Sequence, residues 1–383
     1  YMTLCFFFIT TLNCRAKEKN DTIIFTGELS IDPLCRTSIS TNLFSFVTSR
    51  SWNLEKRQLT IHTLDLKTNK RADIIVMAPT IMKVLQCPAI ALNDSFLLMQ
   101  DDYDLKWFLF KPVQGEFKFV EEVQFPQRMM AFNAKVINSN LFLFTDIYNH
   151  HPLDSVHNTS LAIYNARQRK FLKVIHPEVP CIGLSHFPQN WITNNRRRIA
   201  MAEPCGNRIH IYDLTLDLIH TIELPQTDDW INLPNNKIPV ETSPAIINPK
   251  EFIANFEPGL ITFSRIQSIH FADDSLLLIS VSMPGSKVSS TKNFVYNVNN
   301  NIYLDPERIL IPKSGYHLDC KDELTFHIDP YLLFTDGYSI SLEEDNYLPD
   351  PKLTNEENEN RKNIFYENND PEFIIRISKI EIH

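Results

Sequence analysis

The sequence predicts an all-β fold, a six-bladed β-propeller closed by pairing of its N- and C-terminal strands. Three observations point there. A unit of apolar strand, polar turn, second apolar strand and proline recurs along the chain. A separate continuous apolar run precedes each copy. Strands left over at both termini supply the pieces of one further unit. The chain has 383 residues, a formal net charge of −9 and only 8 glycines against 23 prolines. That is enough chain for a large core, and repeat folds of this length form single units. The charge carries no basic stripe, which excludes a dedicated nucleic-acid backbone binder.

At the start, Met2 to Leu12 is apolar and is followed by Cys14 and a charged run. Eleven apolar residues are too few to span a bilayer as a helix but suit the core of a signal peptide. The expectation is a lipoprotein-like segment over 1–21, with Cys14 as the lipidation site and the polar run as tether. A plain secretory signal or a buried first strand are the alternatives. Membrane contact would then run through the anchor only. Residues 22–383 are expected to form one domain.

Within that domain, Thr22 to Ile31 reads as a spare strand and is assigned to the last blade as its outer member. The hairpins then follow in order. Their closing prolines Pro79, Pro126, Pro177 and Pro225 stand 47, 51 and 48 residues apart, and a later copy ends at Pro312. Proline suits the end of an outer strand, where no ladder donor is needed. Asn-Asn pairs are expected to replace glycine at hairpin tips, since Asn tolerates the left-handed conformation. The preceding apolar runs are Leu43–Phe46, Phe96–Met99, Leu143–Asp146, Arg198–Met201, Leu276–Ile279 and Leu333–Asp336. They read as second strands buried on both faces. An insert, 226–260, is rich in Pro and Asn and reads as loop with one helical turn near Pro249 to Ala254. Leu324 to Ile328, Tyr331 to Leu342 and Phe373 to Ile382 complete the closing blade.

The stretch Arg196 to Ile222, RRRIAMAEPCGNRIHIYDLTLDLIHTI, resembles TolB-like six-bladed propeller lipoproteins of the Bacteroides type. The resemblance implies the same closed propeller in the cell envelope, and carries over no catalytic residue.

Loops after each second strand share an end of the propeller with the inter-blade connections, where ligands usually bind. That reasoning nominates Asp101, Asp102, Asp104, Arg196, Glu203 and Trp230 as a ligand-binding face, with Trp191 as a second aromatic surface. Acidic side chains there would take calcium or a cationic group, arginines a carboxylate or sulfated sugar, and tryptophans a sugar ring. Each also has a plain reading as solvated turn, strand entry or core. Asp146, His150, His151, Asp154 and His157 lie within twelve residues, and imidazole with carboxylate suits zinc or another divalent ion. Five cysteines remain beyond the N-terminal segment, without close spacing, so neither a disulfide framework nor a zinc ribbon is predicted. No nucleophile elbow, phosphate loop or dinucleotide fingerprint occurs. The function expected is a non-catalytic exported binding or scaffold protein, monomeric, with a protein or carbohydrate partner and no resident cofactor. The alternative is a metal-assisted hydrolase or lyase using His150, His151 and His157.

Overall fold

The computed structural model describes residues 25–31, 34–40, 42–48, 51–68, 70–83, 88–101, 104–126, 129–149, 160–176, 191–203, 206–226, 230–231, 264–283, 290–305, 309–310, 333–335, 338–344, 357, 373–379 and 381–382. The elements described are β-strands, and Glu357 alone is helical. The chain opens with β1 (Phe25–Ile31). A first meander follows with β2 (Leu34–Ser40), β3 (Leu43–Thr48), the short β4 (Trp52–Asn53), β5 (Gln58–Asp65) and β6 (Arg71–Met77). The second holds β7 (Ile90–Leu92), β8 (Leu97–Gln100), β9 (Trp107–Val113) and β10 (Glu116–Glu122). The third holds β11 (Met129–Val136), β12 (Leu141–Asn149), β13 (Ser160–Asn165) and β14 (Lys170–Ile175). The fourth holds β15 (Ile192–Asn194), β16 (Arg198–Ala202), β17 (Arg208–Asp213) and β18 (Leu218–Glu223). The fifth holds β19 (Arg265–Phe271), β20 (Leu276–Met283), β21 (Ser290–Asn297) and β22 (Ile302–Leu304). After β23 (Ile309–Leu310) come β24 (Leu333–Thr335), β25 (Tyr338–Glu344), β26 (Phe373–Lys379) and β27 (Glu381–Ile382).

Third, fourth and fifth meanders are separate four-stranded sheets in sequence order. The first and second join through one parallel bridge between their outer strands, Phe117 to Val76. The predicted terminal pairing is present: β1 runs antiparallel to β26, with Leu29 opposite Ile375, in a sheet ordered β1-β26-β25-β24. β23 pairs with β27.

One expectation is corrected here. Leu333 to Asp336 is not a second strand. Leu333–Thr335 is β24, the end strand of its sheet, and it pairs with β25 with Thr335 opposite Tyr338. The Asp336-Gly337 pair therefore falls between two strands that the sequence reading had merged.

Alternation explains the packing. Leu97 and Met99 turn toward the first meander, and Leu98 turns toward the third. Likewise Ile199 and Met201 meet the third meander, while Ala200 and Ala202 meet the fifth. Each second strand is thus apolar on both faces. Trp107, Phe142, Phe144 and Tyr164 are almost fully buried between the second and third meanders. Burying each such ring contributes about 1.5–3 kcal/mol.

Successive meanders are tied together directly, each bond ending on a first strand. The Ser38 hydroxyl accepts from Leu92 N at 3.0 Å. Gln100 Nε2 and Trp107 Nε1 both donate to the Ala131 carbonyl at 2.8 Å. Asn194 Nδ2 donates to the Val136 carbonyl at 2.8 Å, and Trp191 Nε1 to that of Ile266 at 3.0 Å. β24 then lies against β19.

At one end of the sheets, four first-to-second-strand turns share one device. The side-chain Oδ1 of Asn93, Asn138, Asn195 and Asp273 each accepts from two backbone N–H groups, two and three residues on. Asn93 Nδ2 also donates to the Asn138 carbonyl at 2.9 Å in the next meander. The outer hairpins on this end use Asp65, Asn165, Asp213 and Asn297 as similar acceptors. Asn301 takes the left-handed φ of 54° expected of asparagine, but Arg169 and Leu216 do the same at 55° and 58°. The acceptor side chain holding each turn offsets that strain.

Candidate functional site

The opposite end of the sheets carries the second-to-third-strand loops and the connections between meanders. Asp101, Asp104, Glu203 and Trp230 belong there. Arg196 does not. It lies between β15 and β16, in the Asx-turn end, away from the end on which the ligand-binding face is expected. A strand reverses end at each turn, and Arg196 and Glu203 lie at opposite ends of the same five-residue strand, β16. Its neighbours Arg197 and Arg198 reach the fifth meander, at 3.9 Å to Asp274 and 2.7 Å to Asn299.

Asp101 is completely buried. Its Oδ1 accepts from Asp104 N at 2.7 Å and its Oδ2 from Lys83 N, while Lys83 Nζ pairs with Asp104 at 3.1 Å. The carboxylate joins its own loop to the connection after β6. Arg57 grips the same connection through the carbonyls of Pro79 and Met82. Asp101 and Asp104 thus serve the fold, and Asp102 lies outside the described residues.

Glu203 follows directly on β16 and is 8% exposed. Its Oε1 lies 3.0 Å from His210 Nε2, and His210 Nδ1 lies 3.1 Å from the Thr221 hydroxyl. His210 and Thr221 are direct cross-strand partners on β17 and β18. The turn from Glu203 back to β17 closes with Gly206 N donating to the Glu203 carbonyl. A Cβ on Gly206 would stand 2.3 Å from Glu203 Oε2, so the glycine is what gives the carboxylate its space. Tyr212 lies beside His210, with ring centroids 6.4 Å apart. Burial, and then the charge of Glu203, push its hydroxyl pKa up.

Trp191 and Trp230 are half-buried against the cluster between the fourth and fifth meanders. Glu203 and His210 occupy the other face of the fourth sheet, with Met201 and Tyr212 turned toward the third. The sheet therefore separates the aromatic pair from the carboxylate. Beside Trp230, Ile231 N donates to Ser264 Oγ at 3.0 Å and Ser264 N to the Ile231 carbonyl at 2.8 Å. Both ends of the insert are held together there. The insert's expected helical turn lies outside the described residues.

Asp146 lies on β12. His150, His151, Asp154, His157 and Cys14 lie outside the described residues, as does the whole of 1–21. Among the described residues, no three His, Cys, Asp or Glu side chains cluster as metal ligands, and no helix is long and apolar enough to cross a membrane. Sequence reasoning missed His210, Thr221 and Gly206. The available signal was a carboxylate closing a second strand, a glycine three residues on, and a histidine two residues into the third strand.

No family model and no curated protein matches the chain. Among solved structures, a member of the DUF4221 family from Bacteroides vulgatus is similar at a TM-score of 0.44 and 11% identity, over 94% of this chain and 99% of that one. The WD40 domain of Toxoplasma gondii coronin gives 0.38 at 7% identity, over 84% and 72%. The β-propeller domain of Myceliophteria thermophila Cps50 (Swd1) gives 0.36 at 10% identity, over 71% and 72%.

Proposed function

We propose that the chain is a six-bladed, TolB-like β-propeller and works as a non-catalytic binding or scaffold module, exported and lipid-anchored at Cys14. The five meanders and the sheet of β1, β24, β25 and β26 are its blades. The observation that carries the binding role is the chemical difference between the two ends. The Asx-turn end is short, and four of its first-to-second-strand turns are held by their own side chains. The other end carries the longer connections, the pinned insert and the half-buried Trp191 and Trp230. A protein or carbohydrate partner docks there, away from the membrane tether.

Two experiments test this reading. An alkyne-tagged fatty acid supplied during expression in a bacterial host is expected to label the chain and to miss a Cys14→Ser variant. Equal labelling of both, or none, removes the anchor. For the docking end, partners captured by the immobilised chain from envelope extract are expected to survive Arg196→Ala and to be lost when 232–263 is replaced by a short Gly-Ser link. Loss with Arg196→Ala alone would move the docking site to the other end.

A further inference from the structure

We propose that the inner strands of the sheets hold a small tetrahedral oxyanion, of the phosphate or sulfate class, in a site bounded by Lys135, Ser268 and His270. The site goes beyond the binding role above and does not depend on it. It uses neither the His150–His157 segment nor the tryptophans.

Charge on the inner strands comes first. β2, β7 and β11 lie against one another, β15 lies against β19, and β19 against β24. Asn194 joins β15 to β11 through the Val136 carbonyl, and Lys135 Nζ donates to the Ile192 carbonyl of β15. These strands carry Arg36, Lys135, Arg265 and His270, and no aspartate or glutamate. The chain as a whole has a formal net charge of −9, so the lack of carboxylates here runs against its composition. Converging surfaces of one sign focus their field on an ion of the other. Cations held away from water are costly unless compensated.

Lys135 and His270 set the level of the site. Each is the next-to-last residue of its strand, β11 or β19, and both strands end at the Asx turns. Burial, and then the charge of Lys135, push the imidazole pKa down. The Lys135 charge therefore acts on the space that His270 occupies.

The hydroxyls are the independent sign of a ligand. Ser268 stands two residues before His270 on the same face of β19, while Ile269 and Phe271 take the other face, against the fourth meander. Ser280 on β20 is the direct cross-strand partner of Ser268. Both serines are 0% exposed, and neither Oγ has a hydrogen-bond partner. Buried polar atoms are seldom left so, because each forfeits its bonds to water. An ammonium and two hydroxyls offer protons, and an oxyanion offers only acceptors. A metal cation would meet a like charge there.

Ser45 supplies the internal contrast. Its hydroxyl is as buried and as unpartnered. Its neighbours on that face of β3, Leu43 and Val47, are apolar and join the cluster with the second meander. With no cation beside it, a water satisfies that hydroxyl.

The test uses the full chain, dialysed free of oxyanions and titrated with sodium sulfate by calorimetry. Saturable binding near one equivalent is expected. Lys135→Met should weaken it at least tenfold, Ser268→Ala about fivefold, the worth of one hydrogen bond, and Lys173→Met on the outer strand β14 not at all. Ring resonances of His270 provide a second readout. They should shift on adding sulfate to the unmodified chain, while those of His220 stay in place. No saturable binding, full retention of binding in Lys135→Met or Ser268→Ala, or unmoved His270 resonances overturns the proposal. Thermal unfolding of the sulfate-free variants identifies any that fail to fold, and the resonances of the unmodified chain then decide.

Discussion

Gly206 is the residue whose replacement reads most directly. In Gly206→Ala the new Cβ meets Glu203 Oε2, the far end of a flexible side chain, and Glu203 Cβ at 3.0 Å. The carboxylate must swing aside and leave His210. We expect a loss of about 1 kcal/mol, the net worth of one such hydrogen bond, measured by urea unfolding. His270 supplies the pH prediction. Loss of hydration around its ring, and then the charge of Lys135, lower its pKa from 6.5 to about 3. The folded chain keeps this ring neutral while the unfolded chain protonates it near 6.5. The stability it contributes is therefore full above that pH and is lost as pH falls from 6.5 toward 3. Between pH 7.5 and 5, the melting temperature of the unmodified chain should fall further than that of His270→Asn. Equal slopes would refute the assignment.

At the scale of elements, the Asx turns do two things, and substitution separates them. Asn93 Oδ1 holds its own turn through Ser95 N and Phe96 N, while its Nδ2 holds the third meander through the Asn138 carbonyl. Asn93→Ala loses all three bonds and should cost about 2–3 kcal/mol at about 1 kcal/mol each. Asn93→Asp keeps the turn, as Asp273 does in the fifth meander, and loses only the bond between meanders. It should cost about 1 kcal/mol. Equal costs would show that the two turn bonds contribute nothing, and a cost-free Asn93→Asp that the link between meanders contributes nothing. The outer hairpins were legible in the sequence because their strands alternate and their turn residues are local. The Asx turns recur as Asn93-Asp94-Ser95-Phe96, Asn138-Ser139-Asn140-Leu141, Asn195-Arg196-Arg197-Arg198 and Asp273-Asp274-Ser275-Leu276, a pattern that becomes visible once the strands are placed. The arginines in the third copy drew a ligand reading because three like charges stand out in sequence, whereas the acceptor ahead of them does not.

For the whole molecule, the informative bond set is the pairing of β1 with β26, which joins residues some 350 apart in sequence. Deleting Phe25–Ile31 would leave β26 as a free edge beside its sheet. Unpaired edges template association, so the deleted chain should unfold at lower temperature and elute as oligomers on size exclusion. A monomer of unchanged melting temperature would show that the pairing is dispensable. The sequence carried enough to place this pairing, because the outer position of the closing sheet had no other candidate. It did not carry the split of Tyr331–Leu342 into two strands, nor the end of the sheets on which Arg196 sits. Local patterning encodes strands, turns and the order of hairpins, since alternation and Asx chemistry act over a few residues. Which neighbour each face of a doubly buried strand meets is a different matter. Glu203 and Ala202 differ by one position and face different meanders, and a period of two is symmetric between those choices. Only the assembled sheets bring Glu203 to His210 and keep it from Trp230, because that selection rests on contacts between strands that no local pattern specifies.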